Sequence, residues 1–165
     1  MTTSLPPSAS SASASASASA SRPVPRVTGL PAGTLLRLAR HGLLEAVGAA
    51  TPAERYAVAH LAALRAAAAV LACRARPTGS VRRSRPTSAW VLLASFAPEL
   101  AEWAEFFAAG ARKRAAAEAG LAGAVTAREA DDLVREAEQF LLLVEATLSV
   151  HVDGLSRQSL LRTTG

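Results

Sequence analysis

The run from Thr51 to Arg74, TPAERYAVAHLAALRAAAAVLACR, limits what this chain can become more than any other stretch. Thr51 is an N-cap residue. Pro52 suits a first turn, where its missing N–H costs nothing. Glu54 stands three residues after the cap, the spacing of a capping box. The interior is mostly alanine, leucine and arginine, all strong helix formers, with no glycine to weaken it. Pro77 and Gly79 then break the pattern and open a basic segment, SVRRSRP. A capped helix to about Arg74, followed by an arginine-rich loop, is the expectation.

Further apolar stripes surround this helix. Leu35, Leu36, Leu38, Leu43, Leu44 and Val47 predict a first helix over Gly33–Val47, weakened by Gly42. Thr87 or Ser88 caps a third segment, in which Leu93, Phe96, Leu100, Trp103 and Phe107 recur at steps of three and four. Pro98 falls inside that stripe and should kink the helix or split it in two, because it removes a hydrogen bond and crowds the preceding turn. The segment fades near Gly120. Thr126 and Glu129 form a second capping box, and Leu133, Ala137, Phe140, Leu141, Val144 and Leu148 line one face of a last helix. No strand-like alternation is present. Four to five amphipathic helices with short connections predict an all-α antiparallel bundle.

At 165 residues the chain suggests one domain, placed over residues 31–150. Residues 1–30 hold SASSASASASASAS and then Pro23 and Pro25; serine and alanine bury too little apolar surface to offset ordering, so a disordered tail is expected there. Residues 151–165 read as a flexible C-terminal tail. No apolar run is expected to approach the roughly 18 to 20 residues needed to span a bilayer, and a lone cysteine, Cys73, excludes a disulfide framework or a cysteine-based zinc site. The cytoplasm is the expected compartment, with no membrane partner. Cys73, on an Ala/Leu helix, is expected to be a buried structural thiol.

Charge is uneven along the chain. Residues 31–85 carry nine basic side chains against two acidic ones, and residues 86–165 carry seven against eleven. This fits a polyanion-facing side, or two halves that attract each other within one chain or across a dimer. Lys113 is the only lysine, so arginine here reflects a compositional bias and does not by itself indicate nucleic-acid recognition.

Three segments taken together, TPAERYAVAHLAALRAAAAVLACRARP, SAWVLLASFAPELAEWAEFFAAGARKRAAAEAG and VTAREADDLVREAEQFLLLVE, resemble the small actinobacterial HEPN-domain proteins over roughly residues 35–148. The resemblance implies a bundle of four to five helices that usually dimerises. It also implies one of two activities: metal-independent ribonuclease or toxin chemistry, or non-catalytic binding of nucleotides, RNA or protein. Active members carry Arg, four to six residues, then His, and Arg55-Tyr-Ala-Val-Ala-His60 meets that spacing. In such a site Arg55 would stabilise phosphate charge and His60 would act as general acid or base.

Helical geometry weighs against catalysis. Five residues at about 100° each put Arg55 and His60 some 140° apart, with His60 on the stripe of Leu64, Ala67 and Leu71. A structural or partner-facing role for His60 is therefore preferred. Arg74, Arg76, Arg82, Arg83 and Arg85 form the second candidate, a surface for phosphate contacts that are salt-sensitive and sequence-tolerant. No aromatic is interleaved there to stack on bases. Trp90 and Trp103 are expected in the core. Glu99, Glu102, Glu105, Asp131 and Asp132 are expected on a solvated acidic face, with no metal and no cofactor. The leading expectation is a non-catalytic module, forming a homodimer, that binds RNA, a nucleotide or a protein partner through Arg74–Arg85. The alternatives are a toxin-type (toxin–antitoxin) endoribonuclease using Arg55 and His60, and a helical structural adaptor with no nucleic-acid role.

Overall fold

The computed structural model describes residues 30–74 and 88–163, with side chains through residue 149. Five α-helices make up the architecture: α1 (Ala32–Gly48), α2 (Pro52–Arg74), α3 (Ala89–Phe96), α4 (Ala101–Glu118) and α5 (Ala127–Thr163). No strand occurs among the described residues. The bundle is all-α, as the periodicity predicts.

Local chemistry sets the helix ends. The Glu54 amide donates to the Thr51 hydroxyl oxygen at 3.2 Å, and the Trp90 amide donates to the hydroxyl oxygen of the N-cap Ser88 at 3.3 Å. At α5 the box is reciprocal: the Glu129 amide reaches Thr126 Oγ1 at 3.2 Å, while the Thr126 amide and hydroxyl both donate to Glu129 Oε2 at 2.9 Å. Lys113, at the far end of α4, also bonds Glu129. Together these donors hold the Glu129 carboxyl down at about 2. Pro98 divides the third segment as its chemistry demands: α3 ends at Phe96, Pro98–Leu100 form a single 3-10 turn, and α4 restarts at Ala101. α4 closes with the Leu121 amide on the Ala116 carbonyl (3.1 Å) and the Gly120 amide on the Ala117 carbonyl (3.0 Å). This is a Schellman arrangement, and Gly120 tolerates the φ of 69° that it requires.

α2 is the organising element and packs against α1, α3, α4 and α5. Leu38 and Gly42 of α1 meet Arg65 and Ala62, and Tyr56 and His60 meet Gly110 and Phe107 of α4, so both neighbours run antiparallel to α2. α5 runs parallel to α2: Arg55 meets Asp131 near their starts, and Cys73 lies beside Leu148 further on. The connectivity is thus up-down-up-down, with α2 and α5 side by side between α1 and the α3–α4 pair.

The expectations for the length of apolar runs and for Cys73 are corrected here. α2 is long and apolar enough to cross a membrane by length and composition, with an 18-residue window of mean hydropathy 1.6. Half of that window is buried inside the bundle, and its apolarity is accounted for by helices on several sides. Cys73 is exposed rather than buried. It lies in the last turn of α2, beyond the buried Val70, where α1 and α5 diverge and leave an open cleft. Gly42, read as a weak point in α1, lets α1 approach α2 closely: an added Cβ would lie 3.3 Å from that of Ala62. The α5 backbone is helical to Thr163.

Candidate functional site

The Arg55–His60 pair sits in the first half of α2, and the two side chains leave the helix on different faces. His60 points toward α4 and is 1% exposed. Its Nε2–H donates to the Phe107 carbonyl at 2.9 Å, which fixes the neutral tautomer, and its Nδ1 is buried without a partner. The ring stacks near Tyr56 at 6.5 Å and meets the edges of Trp90 and Phe107 at 5.7 and 5.9 Å. Burial pushes the imidazole below its ordinary value, and this outweighs the Phe107 carbonyl, which favours the proton. His60 is therefore an uncharged core residue at neutral pH.

The aromatic cluster explains why. Trp90, Trp103, Phe107 and Phe140 converge with ring centroids 5.2 to 6.4 Å apart. Gly110 lets α4 approach α2 closely, since a Cβ there would fall 2.8 Å from the Tyr56 hydroxyl oxygen. Trp90 is fully in this core and Trp103 is packed on its edge.

Arg55 points toward α5. Its Nη1 donates to Asp131 Oδ1 at 2.5 Å, and Nη2 lies 3.4 Å from the Ala49 carbonyl. Arg55 and His60 share no hydrogen-bond partner. General acid–base work needs a group within hydrogen-bond reach of the substrate. An imidazole sealed between α2, α3 and α4 offers no such approach within this bundle.

Of the five arginines expected at a phosphate-binding surface, only Arg74 falls among the described residues. It pairs with Glu99 of the 3-10 turn and lies 3.5 Å from the Phe96 carbonyl. Arg76, Arg82, Arg83 and Arg85 lie outside the described residues. In the sequence they fall between α2 and α3.

Three of the acidic groups, Glu99, Asp131 and Asp132, are explained by the same pairing. Glu99 holds Arg74, Asp131 holds Arg55, and Asp132 lies between Arg128 and Arg135. Arg40 of α1 meets Glu145 of α5 at 2.7 Å. Three pairs thus join the basic first half of the chain to the acidic second half. Among the described residues no group of three or more His, Cys, Asp or Glu side chains is placed to hold a metal ion. Sequence reasoning missed Asp131 as the partner of Arg55 and Phe107 as the anchor of His60. The unequal charge of the two halves was the available signal for the first.

Comparison with known families agrees with this architecture. The family model for SAV_6107-like HEPN matches residues 46–145, from the end of α1 into the middle of α5. No curated protein and no solved structure matches the chain. The match takes in α2, α3, α4 and the first half of α5, more than half of the sequence, and the chain belongs to the HEPN family.

Proposed function

We propose that this HEPN protein is a non-catalytic binding module of the cytoplasm that engages RNA through the phosphate backbone at Arg74–Arg85. The observation that carries the non-catalytic reading is the burial of His60, whose proton-bearing nitrogen is already committed to the Phe107 carbonyl. Arg55, held by Asp131 on the opposite side of α2, supports the same reading. The five arginines between positions 74 and 85 are unrelieved by any acidic residue in that stretch, which favours counterion-releasing contacts to phosphates. Arg74 is shared with Glu99, so the remaining four are the principal contributors.

The test is a titration of fluorescent single-stranded RNA at low and at physiological salt with a chelator present, followed by a denaturing gel. Intact RNA whose binding weakens steeply with salt, and is lost when Arg76, Arg82, Arg83 and Arg85 are replaced by serine, is the expected result. Chelator-resistant cleavage that disappears in His60→Gln would establish the endoribonuclease reading instead. Intact RNA with no binding at either salt would leave an adaptor for other proteins.

A further inference from the structure

Where the cover over α2 ends, α1, α2 and α5 border an open cleft of about 460 Å³. That size is ordinary for a small-ligand site. Leu36 of α1, Leu148 of α5 and the Cys73 thiol supply apolar walls, and Ala32 and Gly33 carry too little side chain to fill the α1 side. Three polar groups complete the lining. Arg40 can only donate hydrogen bonds. Its Nε lies 2.7 Å from Glu145 Oε1, yet that buried oxygen accepts no aligned hydrogen bond, and no group among the described residues donates to Oε2. Ser149 stands one helical turn beyond Glu145, and its hydroxyl already donates to the Glu145 carbonyl at 2.9 Å. The Ser149 oxygen is therefore left as an acceptor. A donor, a carboxylate and a second acceptor thus follow one another beside apolar walls.

We propose that this cleft is a base-binding subsite that selects guanine, taken up as an unstacked base of single-stranded RNA. The Watson–Crick edge of guanine presents the O6 acceptor, then the N1–H and N2–H donors, which complements Arg40, Glu145 and Ser149 in the same order. Adenine and cytosine offer one acceptor and one donor group on that edge and leave Ser149 unanswered. Uracil sets its single N–H between two carbonyls and turns one of them on the Ser149 oxygen. The inference deepens the RNA reading and rests on it for the rest of the strand: in the sequence, the arginine-rich stretch begins directly after Cys73, at Arg74. Arg37 is placed for the phosphate of the bound nucleotide. Its guanidinium lies beside Gly33 at the rim of the cleft and bonds the Thr34 hydroxyl oxygen at 3.0 Å. The cleft between α3 and α4 also holds a carboxylate and a hydroxyl, Glu105 and Ser95, but no cation among its described lining residues, and so lacks the donor for O6.

Fluorescence anisotropy on the full chain tests it, with a short labelled oligouridylate and the same strand carrying one central guanosine, adenosine or cytidine. Guanosine should tighten binding about tenfold, and adenosine and cytidine less. Glu145→Gln puts a donor where only acceptors are wanted; it should cut the guanosine preference to about twofold or less and leave affinity for oligouridylate unchanged. Glu105→Gln should change neither. Cys73 provides a second readout in the wild-type chain. The guanosine strand, and millimolar guanosine monophosphate alone, should slow its alkylation, whereas oligouridylate and uridine monophosphate should not. Strands that bind alike whatever the central base, with Cys73 equally reactive, overturn the subsite and leave the RNA reading standing. A guanosine preference unmoved by Glu145→Gln overturns it as well. Protection by guanosine monophosphate with no strand bound overturns the RNA reading and supports the cleft as a guanine site. Neither binding nor protection overturns both.

Discussion

The two sides of α2 are built on opposite packing principles. Toward α1, Gly42 meets Ala62 within a field of buried alanines that includes Ala39, Ala46, Ala66 and Ala69. Toward α3 and α4, Tyr56 and His60 meet Trp90, Phe107 and Gly110 in a cluster that reaches Phe140 of α5. The alanine side gains its dispersion energy by close approach of two backbones. The aromatic side gains it from large rings and one satisfied hydrogen bond. The functional consequence follows directly: a histidine on the aromatic side is packing material, whereas an arginine near the alanine side, at the helix start, is free to find a carboxylate.

The contrast can be broken most severely at Phe107, whose ring touches His60, Trp90, Trp103, Phe106 and Phe140. Phe107→Ala should cost about 3–5 kcal/mol in urea unfolding, enough to leave little folded protein at 37 °C. On the alanine side damage comes from adding atoms. Ala62→Leu should cost about 1–3 kcal/mol by forcing α1 away from α2, measured in the same way.

A pH series sharpens the comparison further. The folded-state value of His60 lies below the ordinary 6.5, mainly through burial; Arg114 opposes protonation, while Glu118 and the Phe107 carbonyl favour it. Below pH 6.5 the unfolded chain therefore takes up a proton that the folded one refuses. The His60 contribution to stability is complete above 6.5 and declines as pH falls through that value toward the folded one. A melting temperature followed from pH 7.5 to 5 should show that decline, and His60→Gln should flatten it. The smallest effect is at Cys73: its exposed thiol should react fully with a thiol reagent in native protein, with no change in melting temperature. A silent thiol would return it to the core.

What was legible in the sequence was what a few neighbouring residues decide. Thr51, Ser88, Thr126, Pro98 and Gly120 fixed helix starts, a break and a stop, because capping and proline chemistry act over one turn. The opposed directions of Arg55 and His60 also followed from 3.6 residues per turn. What stayed hidden depended on distant neighbours. Gly42 is a defect within α1 and becomes a close contact only once Ala62 is opposite. Cys73 shares a helix with buried Val70, but the cover over that helix ends one turn earlier. Asp131 is 76 residues from Arg55, and nothing local announces that α5 lies parallel to α2.

The arginine–carboxylate pairs carry one more consequence. Arg40–Glu145, Arg55–Asp131 and Arg74–Glu99 each tie the chain before residue 75 to the chain after residue 87. The bundle is therefore two oppositely charged pieces tethered by one basic connection. Severed in that connection and mixed, the pieces should be drawn together over distances of a Debye length and rebuild one bundle, behaving as a split protein whose reassembly slows as salt rises.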